Sequence, residues 1–379
     1  MIYLDWAASA VPYADEIEAA YREATAVFAN PSAQHRFGQQ ARELLEDARS
    51  RCAAVLGVAA VTLYFTSGAS ESNSLVLLSL LTRPAAGSLV ISAIEHPSVR
   101  EQAAVLERCG WTVLTVPSDK SGHIGAETVI KTVREDTVLV AIMGVNNEIG
   151  SIQPIGEIAA ALKSHCEGKR AIHFHVDMVQ SIGKLPLTEL FLKEVHSASM
   201  SAHKIGGPRG IGLLYLQQPF HSGIRGGSQE HNIRPGTENV AGACALARCL
   251  ERTYTDFQQK FERAGELSRF LIQTLQQFPE CSLIPALRKD EGFSPWIIQV
   301  SFKNVPAEVM MRCLSERGIF VSAGSACSSK KKVRPILAAL SIAPEVAQNA
   351  LRISIGHATE KNDLELFIAA VKDILKDFN

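Results

Sequence analysis

Residues 137–145, TVLVAIMGV, carry no charge, and apart from Thr137 and Gly144 every side chain in the run is apolar. The run is far shorter than the ~20 residues that a helix needs to cross a bilayer. A β-rich segment with no polar face must be covered on both sides, as in the middle of a parallel sheet with helices above and below it. Similar strand patterns recur at 63–67, 88–93, 111–116, 172–177, 194–200 and 210–216, and helical patterns at 70–82, 97–109 and 154–166 separate most of the early ones. Strands alternating with helices predict an α/β layer around a mostly parallel seven-stranded sheet.

The pattern changes near residue 250. Apolar positions at Phe257, Phe261, Ala264, Leu267, Leu271, Leu275 and Phe278 predict one long amphipathic helix over 252–278. Strand patterns at 296–302, 319–323 and 351–355 and helices at 307–317 and near the end complete a smaller α+β unit. The expected division is a large unit over 14–250 and a small one built from 1–13 and 251–379. A length of 379 residues with 46% hydrophobic content supports two packed units and excludes general disorder.

A net charge of −1 gives no electrostatic case for direct nucleic-acid binding. The basic run Lys330-Lys331-Lys332 with Arg334 reads as a solvated loop. The eight cysteines include no C-x-x-C, and a chain of this length needs no disulfide staples. Most of them lie in apolar stretches, which suits a reducing, cytoplasmic setting. No basic and apolar leader opens the chain, and no run is long enough for a membrane span.

Lys204 stands in SASMSAHKIGGPRGIG, past a strand and before a glycine-rich turn, where open α/β sheets bind ligands. A partly neutral lysine amine can form a Schiff base with an aldehyde. By itself it is also an ordinary loop lysine. Asp177 ends the strand 172–177, with Gln180 three residues on, and a carboxylate is what a pyridinium nitrogen needs beside it. His173, His175 and Asp177 alternate to one face, but with no fourth ligand evident they read as satisfied strand residues, with no metal expected. FTSGASESNS runs from a strand into a helix start, a phosphate-binding geometry as well as a common cap. His96 follows another strand. Cys327, in SAGSACSSKKK, is the cysteine in a small polar loop, and nearby cations favour its thiolate. Arg352, in LRISIG, offers a fork for a carboxylate, or a structural ion pair.

Taken together, YLDWAAS, NPSAQHRFGQQAR, FTSGASESN, EHPSV, VNNEIGSIQP, HVDMVQSIGK, SAHKIGGPRGIG, GGSQEHNIRPGTEN, SAGSAC and LRISIGHAT resemble, in order, the motifs of cysteine desulfurases of the NifS/IscS type. These are class V aminotransferase-like enzymes of fold type I. The resemblance covers nearly the whole chain and implies pyridoxal 5′-phosphate as cofactor, L-cysteine as substrate, and transfer of its sulfur to Cys327 as a persulfide. It implies that Lys204 carries the cofactor, that Asp177 faces the ring nitrogen, Gln180 the ring hydroxyl, and His96 the ring face. It matches Ala69, Ser70, Ser201 and His203 to phosphate-binding positions, and Asn147 and Arg352 to the groups that hold the substrate carboxylate. Thr237 matches a threonine that reaches the phosphate across a homodimer. Catalytic roles fall to Lys204, Cys327 and His96. A sulfur-acceptor protein, an iron–sulfur scaffold or a tRNA-thiolation protein, is the implied partner. Selenocysteine or cysteine sulfinate lyases and an inactive scaffold for sulfur transfer are the alternative readings. The sequence departs from the family pattern at Trp6, Ala10, Ser70, Met178, Val179, Ala202, Gly206 and His357.

Overall fold

The computed structural model describes residues 1–324 and 334–378. In chain order the first elements are β1 (Ile2–Tyr3), α1 (Ala14–Ala26), α2 (Arg36–Leu56), β2 (Leu63–Thr66), α3 (Ala69–Leu78), β3 (Ser88–Ser92) and α4 (Pro97–Arg108). β4 (Thr112–Val116), α5 (Ala126–Thr132), β5 (Thr137–Met143), α6 (Ile155–His165), β6 (His173–Asp177), β7 (Ser197–Ser201) and β8 (Gly212–Leu216) follow. The remainder is α7 (Val240–Tyr254), α8 (Phe257–Leu275), β9 (Cys281–Ile284), β10 (Ile297–Phe302), α9 (Ala307–Glu316), β11 (Ile319–Phe320), α10 (Pro335–Ala339), α11 (Pro344–Gln348), β12 (Ala350–Ser354) and α12 (Lys361–Lys376).

Seven strands form one sheet in the order β2-β8-β7-β6-β5-β3-β4. The pairs from β7 across to β4 are parallel, and β8 runs antiparallel to both of its neighbours. The architecture is α/β, as the alternating pattern predicts. β5 explains why its run has no polar face. Val140 and Ile142 enter one core cluster with Phe174, Val176 and Met200, while Leu139 and Ala141 enter another with Leu89, Ile91 and Leu214.

A third cluster joins Leu267, Leu271, Ile298, Val300, Ile353, Phe367 and Val371, and it takes in Leu4 and Ala7 from the start of the chain. It surrounds an antiparallel sheet ordered β12-β10-β9 and a two-stranded pairing of β1 with β11. The expected strand over 319–323 is shorter than its pattern. β11 ends at Phe320, and Ser322 makes an isolated bridge to Arg352.

The single helix expected over 252–278 is broken. α7 ends at Tyr254, Thr255 leaves the helix with ψ 125°, and Asp256 is left-handed at φ 52°. The break is stabilised from the far side, because Lys260 Nζ donates to the carbonyls of Arg252 (3.0 Å) and Thr255 (2.6 Å) at the end of α7. Ala264, Leu267, Leu271 and Leu275 still bury the predicted face. Among the described residues no helix is long and apolar enough to cross a membrane.

Candidate active site

Parallel strands place their carboxyl ends on one edge, and the loops there can converge on a ligand. Ala69 and Ser70 follow β2, His96 follows β3, Asn147 follows β5, Asp177 ends β6, and Ser201, His203 and Lys204 lie at or just past the end of β7. They meet at a cavity of about 520 Å³, whose wall also includes Ala7, Ala8, Ser9, Gln180 and Arg352. The size is typical of a small-molecule site. Thr237 does not reach it within one chain. It lines a separate surface hollow with Phe28, Asn30 and Pro31. Cys327 lies outside the described residues, as do Lys330, Lys331 and Lys332.

Lys204 Nζ donates to the carbonyls of Ala7 (2.7 Å) and Ala8 (2.9 Å). These two neutral acceptors hold the amine at the cavity wall. The Ala7 carbonyl also accepts from Gln180 Nε2 at 2.8 Å, while Gln180 Oε1 accepts from Lys184. Lys184 is fully buried, and burial with the nearby Lys204 and Arg352 pushes its amine well below the usual lysine range.

Asp177 is buried, with Oδ1 accepting from Val179 N at 3.0 Å and Oδ2 from Asn73 Nδ2 at 2.9 Å. His96 is the N-cap of α4, and its Nδ1 accepts from Ser98 N at 3.1 Å. Burial lowers its pKa, and nearby Asp177 opposes that shift, so the ring is neutral at pH 7. His203 is held down to about 4, first by burial and then by Lys204 and Arg209. His173 and His175 are satisfied strand histidines, each bonded to Ser197 Oγ, and the described residues contain no cluster able to hold a metal ion.

α3 begins at Ala69 after Gly68, which has no side chain to cap the first turn. That leaves the backbone N–H groups of the turn at the cavity edge for an anion. Across the cavity, Arg352 is buried and already braced, with Nη1 donating to Asn147 O at 2.9 Å and Nη2 to Asp5 Oδ1 at 2.7 Å. Among the described residues, Arg352 Nε and Asn147 Oδ1 are buried with no hydrogen-bond partner. Both residues line the cavity, and unpaired buried polar atoms of this kind need an explanation in a native fold.

Arg334 corrects one expectation. Its guanidinium is largely buried, donates to the carbonyls of Ala347 (2.9 Å) and Ala350 (2.7 Å) and pairs with Glu148, so it does not belong to a solvated run. Sequence reasoning missed Ala7, Ala8 and Asn73. Backbone carbonyls leave no mark in a sequence, and one asparagine near a helix start looks like any other. Arg209 also lines the cavity, and its place in GGPRGIG was the available signal.

The aminotransferase class-V family matches residues 2–367. The chain is 35% identical to a NifS/IcsS protein homolog of Lactobacillus delbrueckii subsp. bulgaricus over 387 residues, 100% of this chain and 98% of that one. It is 34% identical to the cysteine desulfurase IscS of Dictyoglomus turgidum, covering 99% of this chain and 94% of that one. A solved NifS-like protein superposes with a TM-score of 0.90 at 31% identity, covering 99% of each chain. The fold, with its lysine past β7 and its aspartate at the end of β6, is thus that of fold type I, and the chain belongs to the class V aminotransferase family, among the cysteine desulfurases of the NifS/IscS type.

Proposed function

We propose that this chain uses pyridoxal 5′-phosphate on Lys204 to remove sulfur from L-cysteine, leaving L-alanine and a persulfide on Cys327. The observation that carries the reading is one cavity wall holding a lysine amine on neutral carbonyls, a buried carboxylate and an incompletely bonded arginine. The donor set fits the group: an amine for its aldehyde, Asp177 for its ring nitrogen, and the start of α3 with Ser70, Ser201 and His203 for its phosphate. Bound there, the cofactor supplies an electron sink for charge developing at the substrate α-carbon.

The chain's own residues do the rest. Lys204 would tether the cofactor and, with its amine free, would serve as the base for the substrate α-proton, the Ala7 and Ala8 carbonyls giving that amine a berth. Asp177 holds the proton at the ring nitrogen. Gln180 faces the ring hydroxyl, and neutral His96 packs on the ring and can carry a proton. Asn147 and Arg352 hold the substrate carboxylate. The Cys327 thiolate forms an S–S bond to the substrate sulfur as the C–S bond breaks. The electron pair of that bond stays with the carbon and is protonated there to give alanine.

Thr237 sits in a surface hollow and serves the site of a partner subunit, so the working form is a homodimer. Sulfur then passes to an acceptor protein of iron–sulfur assembly or tRNA thiolation, in the cytoplasm. We also divide the chain into the 14–250 unit and a unit from 1–13 and 251–379. The separate apolar cluster joining Leu4 and Ala7 to Leu267 and Phe367 supports that division.

The test is incubation with L-cysteine and mass analysis of the peptide containing Cys327. One added sulfur is expected, with alanine released. Full alanine release by Cys327→Ala would show that the persulfide role is wrong. Lys204→Ala is expected to lose the visible Schiff-base band altogether.

A further inference from the structure

The acceptor-only character of a carboxylate fixes a whole row of hydrogens behind Asp177. The Asn73 atom at 2.9 Å from Asp177 Oδ2 must be the amide nitrogen. That nitrogen also donates to Ser98 Oγ at 2.8 Å, so both of its hydrogens are committed. Asn73 Oδ1 therefore faces His175 Nε2 (2.8 Å) as an acceptor, and the His175 hydrogen is on Nε2. Nδ1 of the neutral ring is then bare and accepts from Ser197 Oγ at 2.8 Å. With its hydrogen committed there, Ser197 accepts from His173 Nε2 at 2.7 Å. Ser98 gives its hydroxyl hydrogen to His96 Nδ1 at 2.8 Å, which leaves the hydrogen of His96 on Nε2.

We propose that Asn73 is a positioning residue for the reaction: the branch point of a one-way hydrogen-bond chain that runs His173, Ser197, His175, Asn73 and ends on Asp177. The same amide sets Ser98 on His96. Each donor in the chain points toward the carboxylate and polarises the next, which strengthens the bond that holds Asp177 in place. A buried carboxylate needs hydrogen-bond donors, and the Asn73 amide supplies one and aims the oxygen that receives it. An amide alone offers two hydrogens and an oxygen at this length. Aspartate has no donor and leucine has neither group. Burial holds His175 neutral, its pKa pushed down to about 3, which keeps the chain from reversing near pH 7.

The role assigned to Asn73 rests on the reading of Asp177 and His96 as cofactor neighbours, so the test has two arms. In the first, histidine ring nitrogens of the full chain are labelled with ¹⁵N and their tautomers read by NMR, with His175→Gln and His96→Gln for assignment. Nε2–H is expected for both rings. In the second, Asn73→Leu, Asn73→Asp and Ser197→Ala are loaded with pyridoxal phosphate, and its dissociation constant and the pH dependence of the visible band are measured. Loss of one charged hydrogen bond predicts roughly tenfold weaker binding in both Asn73 variants, with a shifted pH profile. kcat should fall with KM for cysteine nearly unchanged, and Ser197→Ala, which leaves Asn73 in place, should show a smaller effect in the same direction. An Nδ1–H tautomer of His175 in the parent overturns the proposal, whether or not Lys204 takes up cofactor. Parent-like affinity and pH profile in the Asn73 variants, or in Ser197→Ala if those fail to fold, also overturns it. A parent that takes up no pyridoxal phosphate on Lys204 refutes the cofactor reading instead, and with it the role of Asn73.

Discussion

Glu95 is completely buried beside His96, with Oε1 accepting from Ser92 Oγ (2.6 Å) and Met143 N (2.7 Å) and Oε2 without a hydrogen-bond partner among the described residues. Burial, with Asp177 adding to it, raises its pKa to about 8. The folded chain therefore keeps a proton that the unfolded chain releases near pH 4.5, so this group's contribution is fully present below that pH and is lost as pH rises toward 8. Glu95→Gln removes the dependence. Its stability relative to the parent should climb between pH 5 and pH 8 by a few kcal/mol, ~1.4 per pH unit at most, when read by urea unfolding at each pH. Arg352 gives a second prediction. Its fork spans Asn147 and Asp5 at once, which an ammonium cannot copy, so Arg352→Lys should raise KM for cysteine roughly tenfold in steady-state assays. Lys204, Asp177 and Arg352 were legible because each stands at a strand end inside a motif. Asn73 and the Ala7 and Ala8 carbonyls were not, because their roles depend on hydrogen-bond partners about 100 to 200 positions away.

At the scale of elements, all seven strands of the main sheet are readable from apolar runs, and their ends shift by one to three residues because ladders stop where the edge loops begin. The break between α7 and α8 was hidden, since the apolar spacing continues across it and only the backbone at Thr255 and Asp256 departs. Another local departure is the turn at Glu230, His231 and Asn232, three consecutive residues at positive φ, 43°, 51° and 66°. A left-handed non-glycine residue costs about 1 kcal/mol. The turn is anchored by Glu230, whose buried carboxylate accepts from Arg49 at 2.8 and 2.9 Å and from Phe65 N at 2.8 Å. Arg49→Met strands that carboxylate and should destabilise the chain by about 3–5 kcal/mol in urea unfolding. Arg49→Met with Glu230→Gln should recover part of the loss.

For the molecule as a whole, three of the departures from the family pattern prove to be one feature. Tyr13 lies against Gly206 and stacks on His357 at 4.9 Å, and His357 meets Trp6 edge-on at 5.0 Å. Trp6 in turn lies on Gly356, where an added Cβ would fall within the indole. Scattered through the sequence, the substitutions have no common meaning; in space they meet around Tyr13, where Trp6 and His357 line a small hollow beside Lys204. Gly356→Ala should therefore cost about 1–3 kcal/mol by overpacking, checked by thermal unfolding. It should also weaken cofactor uptake, because Trp6 precedes the carbonyls that hold Lys204.

β1 pairs with β11, and the residues after it lay Ala7, Ala8 and Ser9 along the cavity wall beside the strand of Arg352. During synthesis, this stretch must thus wait for a strand made more than three hundred residues later before it has a partner to pair with. The pocket cannot exist on a nascent chain that stops short of residue 352. Loading is then a step that follows synthesis of β12, and a chain ended before it carries its lysine with Arg352 missing and Ala7, Ala8 and Ser9 unanchored.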